Sequence, residues 1–225
     1  MTPLIPSWIR EATVPGYTNL FVLLPEETRL FGMEDLYGDW NGRALLFAKD
    51  FACSGVVRER IERGDARAYR HEPRLRTNIM LRRHADPLRE GPTPTTCGLL
   101  YGSALACLLR DDGQMSGALP SRKEALAFAS HVLRFVLEHM PRLHAIVCLG
   151  EDAWQCTMPA LNVAGDWRIS RDSGMVVNAG PIKVIAAYHP AARVTREKAA
   201  RPWAIVRDVL SINGPGTISP VAEAA

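Results

Sequence analysis

The chain has 225 residues, of which 47% are hydrophobic and 23% are charged, and its net charge is +3. This composition is ordinary for a globular protein, and the length suits one domain with a full hydrophobic core. No apolar run approaches the roughly 18–20 residues that cross a bilayer, and the N-terminus lacks the basic and then apolar pattern of a secretory signal. We therefore expect a cytoplasmic protein with no membrane partner, and we take it to be a monomer.

Metal and disulfide chemistry are not indicated by the sequence. The five cysteines are odd in number and form no CxxC pair, so neither a disulfide framework nor a zinc site is expected. The six histidines show no metal-ligand spacing. We predict a protein without a metal or another cofactor.

Positive charge is concentrated in two segments. Residues 58–83 hold nine arginines and four carboxylates, a net charge of +5, and residues 193–207 hold five cations and one carboxylate, a net charge of +4. Both segments suit the binding of phosphate groups. A solvated surface laced with ion pairs explains the same pattern, so charge alone leaves both interpretations open.

Short apolar runs alternate with helical patterns after a proline-rich N-terminal segment. Residues 1–42 are predicted to form a wrap of loops and short helices, residues 43–213 the main α/β domain, and residues 214–225 a flexible tail. In chain order, strands are expected at 43–51, 99–109, 144–149, 175–177 and 182–188, and helices at 121–140, 151–161 and 195–213. Residues 56–64 are expected to form a helix or a turn. Ser121 and Glu124 form a capping-box pattern, and Pro202 is expected to kink or start the last helix.

Strands that alternate with helices indicate a parallel sheet covered on both faces. We predict a single-domain, three-layer α/β/α fold around a short central parallel sheet of about four strands. Active sites of such sheets lie beyond the carboxyl ends of the strands. Residues 49–53, 102–107 and 189–193 occupy those positions.

Two residues at the predicted strand ends carry active-site chemistry. Asp50 follows an apolar strand, where a carboxylate can polarise a water or offset a developing cation, although capping the next helix suits it equally well. His189 follows another strand and precedes Pro190, so it can donate a hydrogen bond into a cleft or serve as an ordinary rim histidine. The two residues are 139 positions apart, and a parallel sheet can bring both strand ends to one crevice.

Four sequence blocks resemble the uracil-DNA glycosylase superfamily, in that family's order. LLFAKDFACS is similar to its first motif, an apolar strand followed by a Gly-Gln-Asp-Pro-Tyr-like turn. LLYGSALACLL is similar to the next segment, which usually reads Thr-Asn-Ala-x-x-Cys, and AIVCLGEDAWQ to a strand–Leu-Gly–helix segment. AAYHPAAR is similar to the His-Pro-Ser-Pro-Leu motif. The resemblance spans about residues 43–207.

The resemblance implies the family's fold and a monofunctional DNA glycosylase, which flips a base out of DNA and hydrolyses its N-glycosidic bond. Asp50 falls on the aspartate that activates water. His189 falls on the histidine that stabilises the O2 of the base and the departing base anion. The residues after the family's His-Pro pair enter the minor groove, with Arg193 here as wedge or phosphate anchor. The implied DNA contacts are Pro190, Ala191, Ala192, Arg193, Arg196 and Lys198.

Departures from the family pattern concern the identity of the base. Ser103 aligns with the asparagine that reads the uracil edge, and a hydroxyl lacks the paired donor and acceptor of an amide. Ala52 aligns with the tyrosine that excludes the thymine methyl group, which opens space beside C5 of the base. Lys49 stands at the glutamine position and Phe51 at the proline position, where its ring can lie against the base. Asn78 is a second candidate reader of the base, or a turn or cap residue.

The leading hypothesis is therefore excision of uracil, or of a modified or bulkier pyrimidine, from single- or double-stranded DNA. Repair and defence against modified foreign DNA both fit that chemistry. A nucleic-acid-binding relative without catalytic activity is the alternative. A doubly wound enzyme that acts on a small nucleotide is a third hypothesis, weakened because the GxGxxG and GxxxxGK[ST] patterns are absent.

Overall fold

The computed structural model describes residues 2–65, 67–114 and 117–212. Its strands are β1 (Tyr17–Asn19), β2 (Ala44–Ala48), β3 (Leu99–Ser103), β4 (Leu108–Arg110), β5 (Ala145–Leu149), β6 (Val177–Ala179) and β7 (Ile182–Ala187). Its α-helices are α1 (Ser7–Arg10), α2 (Leu20–Leu23), α3 (Ser54–Glu62), α4 (Arg76–Ala85), α5 (Arg122–His139), α6 (Glu151–Leu161), α7 (Trp167–Ser173) and α8 (Arg196–Ile212). A short 3₁₀ helix follows α4 at Asp86–Leu88.

A five-stranded sheet with the strand order β3-β2-β5-β7-β6 forms the centre of the molecule. The pairs β2–β3, β2–β5 and β5–β7 are parallel, whereas β6 is antiparallel to β7. The α/β prediction is confirmed, but the sheet is mixed, with four parallel strands and one antiparallel edge strand. The reason is the two-residue turn Gly180–Pro181 between β6 and β7, which can only reverse the chain because a parallel connection needs a long crossover.

Helices cover both faces of this sheet because alternate side chains of each strand point to opposite sides. Leu45 and Phe47 of β2 belong to the core that includes α5 and α6, while Leu46 and Ala48 belong to the core that includes α4 and α8. All five positions of β2, β3 and β5 are buried. The sequences of these strands are therefore continuous apolar runs, which is typical of central parallel strands.

The predicted strand at 99–109 is in fact two strands in different sheets. β3 ends at Ser103, the chain turns with Ala106 at φ 47°, and β4 then pairs antiparallel with β1 in a separate two-stranded sheet. Leu105 and Ala106 of the turn are fully buried. A turn made of buried apolar residues leaves no break in the hydrophobic pattern, which is why the sequence indicated one strand.

The structure contradicts the capping box expected at Ser121 and one of the two roles expected for Pro202, that of a helix start. Ser121 precedes α5 in a left-handed conformation (φ 37°, ψ 50°) and its side chain makes no capping hydrogen bond, because an N-cap side chain reaches the first-turn amides only from an extended backbone. Pro202 lies inside α8, which already begins at Arg196, so it does not start the helix.

The N-terminal segment packs into the same core as the sheet. Ile9, Leu20 and Phe31 are almost fully buried and join the cluster that contains β2 and α5. The predicted tail at 214–225 lies outside the described residues. In the part of the chain that the structure describes, no helix combines the length and apolar character needed to cross a membrane.

Candidate active site

The carboxyl ends of the parallel strands border a small cavity of about 150 Å³. Asp50 follows β2 by two residues and His189 follows β7 by two residues, and both line this cavity. A cavity of about this volume admits one benzene-sized ring. The sheet therefore brings together the two residues that the sequence singled out. The other lining residues are Met33, Phe51, Ala52, Val56, Val57, Arg60, Ala68, Arg70, Glu72, Leu75, Thr77, Asn78 and Tyr101.

Asp50 is a largely buried carboxylate held near two cations. Its Oδ2 lies 3.5 Å from Nζ of Lys49 and 3.8 Å from Nη1 of Arg110, and its side chain is 16% exposed. Within the described residues Oδ2 has no hydrogen-bond partner. Burial raises the pKa of Asp50, against the lowering effect of the two cations. The N-cap residue of α3 is Cys53, so Asp50 does not cap that helix and its carboxylate remains available to accept a hydrogen bond.

His189 lies where the small cavity meets a larger cleft, and it lines both. Its Nδ1 accepts a hydrogen bond from the backbone N–H of Ala191 at 3.2 Å. The residue is exposed to the cleft, and partial desolvation, followed by the positive charge of Lys49, lowers the pKa of His189. A neutral imidazole that accepts at Nδ1 carries its proton on Nε2. His189 is therefore a neutral hydrogen-bond donor at neutral pH.

Asn78 supplies the amide of the cavity. It projects from α4, is 6% exposed, and donates from Nδ2 to the carbonyl oxygen of Glu72 at 2.7 Å. One amide N–H and the carbonyl Oδ1 have no partner among the described residues, and together they match the donor and acceptor on the edge of a pyrimidine. Asn78 sits in the third position of α4 and does not cap it.

Ser103 does not line the cavity, although the sequence placed it at the reader position. It ends β3, its residue is 1% exposed, and Oγ has no hydrogen-bond partner in the described parts of the chain. Tyr101, two residues earlier and so on the same side of the strand, lines the cavity instead. The alternation of side chains along β3 could have indicated Tyr101.

Aromatic and small residues form the apolar wall of the cavity. The ring of Phe51 packs edge-on against Tyr69, with 4.7 Å between the ring centroids. Gly32 approaches the same ring so closely that a Cβ there would lie 2.3 Å from Cε2 of Phe51. Ala52 is 8% exposed and lines the cavity with only a methyl group. The N-terminal segment, through Gly32 and Met33, therefore helps to shape the site.

Lys49 and Arg110 support the site without lining it. Nζ of Lys49 donates to the carbonyl oxygen of Gly117 at 3.0 Å and lies beside Asp50. Arg110 is 1% exposed and forms an ion pair with Asp112 at 2.6 Å. Sequence reasoning missed Arg110, because nothing in LLRDDG shows that the arginine folds back beneath Asp50.

A basic cleft of about 960 Å³ adjoins the small cavity. Residues from segment 188–200 line it, together with Arg76 and Arg83 of α4. Most predicted DNA contacts line it, while Ala191 instead donates to His189. The predicted contacts that line the cleft are Pro190, Ala192, Arg193, Arg196 and Lys198.

Some arginines of segment 58–83 lie on a solvated surface with ion pairs, and others line the candidate site. Arg63 pairs with Glu59, as expected of a solvated surface. Arg60 and Arg70 line the small cavity, and Arg76 and Arg83 line the cleft. Part of the segment therefore presents positive charge to the candidate site.

No set of three or more histidine, cysteine, aspartate or glutamate side chains in the described ranges is placed to hold a metal ion. The five cysteines are buried free thiols. Neither protein-family models nor curated protein sequences show a match to this chain. The geometry of the site is therefore the basis for assigning a function.

Proposed function

We propose that this protein is a monofunctional DNA glycosylase, which hydrolyses the N-glycosidic bond of a flipped uracil or modified pyrimidine and leaves an abasic site. The observation that carries the proposal is that Asp50 and His189, distant in the chain, line one ring-sized cavity at the carboxyl edge of the sheet. The resemblance of four sequence blocks to the uracil-DNA glycosylase superfamily supports the same assignment.

The charges of the two residues suit the charges that develop in this reaction. As the bond between C1′ and the base nitrogen breaks, the sugar becomes cationic and the base leaves as an anion. The carboxylate of Asp50 offsets the cation and takes a proton from the attacking water, whose oxygen bonds to C1′. The Nε2–H of His189 donates to the base oxygen on which negative charge accumulates.

The cavity offers a basis for choosing a pyrimidine. Its volume of about 150 Å³ fits one ring rather than the two fused rings of a purine. Phe51 provides an aromatic surface for that ring, and Asn78 provides a donor and an acceptor for its edge. Ala52 leaves room for a substituent, which favours a modified pyrimidine as well as uracil.

The basic cleft supports DNA as the molecule that delivers the base. Arg193, Arg196 and Lys198 line it together with Arg76 and Arg83, so cations from two segments are available for phosphates. His189 lines the cleft and the cavity together. A nucleotide that leaves a strand bound in the cleft would therefore pass His189 as it enters the cavity.

The test is base excision by the purified full-length protein. Single- and double-stranded oligonucleotides carrying uracil or C5-modified pyrimidines are incubated with the protein and then treated with alkali, which cleaves at abasic sites. We expect strand scission that is lost in Asp50→Asn. Asp208→Asn, which removes an exposed carboxylate on α8, is the matched control and should retain full activity.

The other outcomes separate the competing hypotheses. Binding of the oligonucleotides without scission would indicate a nucleic-acid-binding protein of the same fold that has no catalytic activity. Absence of DNA binding would favour an enzyme acting on a small nucleotide. Scission that persists in Asp50→Asn would show that the assigned carboxylate is not catalytic.

A further inference from the structure

Two stacked aromatic rings lie in the basic cleft. The imidazole of His84, on α4, is parallel to the indole of Trp203, on α8, with 4° between the ring planes and 5.5 Å between the ring centroids. Both residues line the cleft. Trp203 is 5% exposed, whereas His84 is half-buried. Trp203 therefore supports one face of the imidazole and leaves the other face to the cleft.

The surroundings of His84 suit a nucleobase at this position better than a phosphate group. Burial, followed by the positive charge of Arg83, lowers the pKa of His84, so the ring is neutral at pH 7 and above. A neutral imidazole brings no charge to a phosphate, but its flat face can stack on the π-face of any base. Met80, one turn before His84, lines the cleft as well and adds an apolar contact.

The spacing along α4 relates this ring to the small cavity. Asn78 lines the cavity and His84 follows it by six residues, which corresponds to a rise of about 9 Å along the helix. Stacked bases of one DNA strand are only about 3.4 Å apart. A strand that places one base in the cavity and the next on His84 must therefore be extended, with the second base outside a double helix.

We infer that His84, supported by Trp203, is a platform on which an unpaired base next to the flipped nucleotide stacks, so that single-stranded DNA is the substrate. This inference rests on the proposed function and names its substrate class. The platform recognises the π-face, which all four bases share. Phosphates on either side of the stacked base would meet the cations that line the cleft, which are Arg76, Arg83, Arg193, Arg196 and Lys198.

The test compares two single-stranded probes of equal length, oligothymidylate and a chain in which every nucleotide is replaced by the tetrahydrofuran abasic analogue. His84→Ala should bind oligothymidylate about tenfold more weakly than the wild type does, because one base–aromatic stack is lost. It should bind the abasic chain as tightly as the wild type, since phosphate contacts are unchanged. Equal affinity of His84→Ala and the wild type for oligothymidylate would overturn the inference.

Three further variants distinguish stacking from a phosphate contact. His84→Phe keeps an aromatic face and should bind oligothymidylate like the wild type, whereas His84→Lys should not recover the preference for oligothymidylate over the abasic chain. The opposite result, recovery with lysine and not with phenylalanine, would show a phosphate contact and overturn the inference. His131→Ala removes an exposed histidine on α5 and is the matched control, which should bind both probes like the wild type.

The position and strand state of the stacked base are tested with an oligonucleotide that carries one central tetrahydrofuran, an analogue of the abasic product. Removal of one of the two adjacent bases should cancel the effect of His84→Ala, because the two changes remove the same contact. Annealing the complementary strand should cancel it too. An effect of His84→Ala that persists in full in the duplex, or after removal of either adjacent base, would overturn the inference.

The inference and the proposed function fail in different ways, because none of these binding measurements requires turnover. If bases are excised but His84→Ala binds oligothymidylate like the wild type, the platform is refuted and the glycosylase stands. If binding depends on His84 and on the bases but no base is excised, the platform stands and the glycosylase is refuted.

Discussion

The backbone N–H of Ala191 donates to Nδ1 of His189 and so determines which imidazole nitrogen carries the proton. The hydrogen bond is 3.2 Å long and spans two residues of the turn after β7. Because Nδ1 accepts, Nε2 must be the donor of the neutral ring. The residues that follow the His-Pro pair therefore orient the imidazole, which is a positioning role that the sequence did not indicate for Ala191.

The first prediction concerns the donor at Nε2. His189→Ala should lower the single-turnover rate of excision by about 10²–10³-fold, since removal of one preorganised donor to a developing anion has about that effect. Partial desolvation and Lys49 lower the pKa of His189 below its ordinary value, and the neutral ring is the active form. The wild-type rate should therefore hold steady as the pH rises from about 6.5 to 8, and any loss from this group should occur at lower pH.

The matched control for that variant is His131→Ala, because His131 is exposed on α5. It should leave the rate and its pH profile unchanged. A wild-type rate that drops as the pH rises through 7 would mean that the protonated imidazolium is the active form, contrary to the geometry at Ala191.

The second prediction is that a substitution of Asp50 changes the activity and the stability of the protein in different directions. Burial raises the pKa of this carboxyl group, so the native state binds a proton more readily than the unfolded state does. Stability from this group is present below its ordinary pKa and is lost as the pH rises through the raised value. Asp50→Asn should therefore abolish excision while its free energy of unfolding at pH 7 equals or exceeds that of the wild type.

Urea unfolding of both proteins at pH 7 and near pH 4 tests this prediction. The advantage of the variant should be largest at pH 7 and should shrink in acid, where Asp50 of the wild type becomes protonated. A variant that is less stable than the wild type at pH 7 would show that the ion pairs with Lys49 and Arg110 outweigh the burial of the carboxylate.

The sequence predicted the pieces of the site that lie at strand ends, and missed those that depend on how loops fold. Asp50 and His189 follow buried apolar strands, and parallel pairing alone brings their ends to one edge. Arg110 lies beside Asp50 from a second sheet, and Tyr69 packs against Phe51 from a turn. Their positions depend on packing between segments distant in the chain, which no local pattern encodes.

The choice between Ser103 and Asn78 shows the same limit. The resemblance placed Ser103 at the reader position, yet its hydroxyl is buried beside the cavity and does not line it. Asn78 reaches the cavity because α4 lies across the carboxyl edge of the sheet, and the docking of α4 depends on Leu81, Ala85 and Trp203. The sequence could suggest Asn78 as a candidate, but only the placement of α4 brings it to the cavity.

The third prediction concerns the close approach of Gly32 to Phe51. A methyl group at position 32 would lie 2.3 Å from Cε2 of Phe51, so the ring must move, and the cavity is the adjacent open space. Gly32→Ala should therefore raise KM for the DNA substrate, while its free energy of unfolding should fall by only about 1 kcal/mol. Kinetics and urea unfolding of the same preparation measure both effects.

Gly55→Ala is the matched control for Gly32→Ala. Gly55 lies in α3, and a Cβ there meets no atom within 4 Å. The control should raise stability by about 0.5–1 kcal/mol, because alanine favours a helix more than glycine does, and it should leave KM unchanged. Equal KM for Gly32→Ala and the wild type would show that Phe51 does not define the space for the base.

The fourth prediction concerns Glu34, which holds the loop that carries Gly32 and Met33. Its Oε1 accepts hydrogen bonds from the backbone N–H groups of Leu30 and Phe31 at 2.9 and 2.8 Å. The residue is 7% exposed, and burial raises its pKa to about 7. The native state therefore binds a proton at a pH where the unfolded chain has already lost it.

The stability linked to Glu34 is complete below about pH 4.5, the ordinary value for glutamate, and it is lost as the pH rises through about 7. The difference between these pKa values corresponds to about 3 kcal/mol in the free energy of unfolding. Glu34→Gln cannot ionise, so the free energy of unfolding of the wild type minus that of the variant should fall by about this amount between pH 4.5 and 8. Taking the difference cancels the titration of the histidines, which both proteins share. A difference that stays constant with pH would contradict this prediction and show that Glu34 remains ionised in the native loop. In that case its two backbone donors and the indole N–H of Trp40, which lies 3.3 Å from Oε2, would offset the burial of the carboxylate.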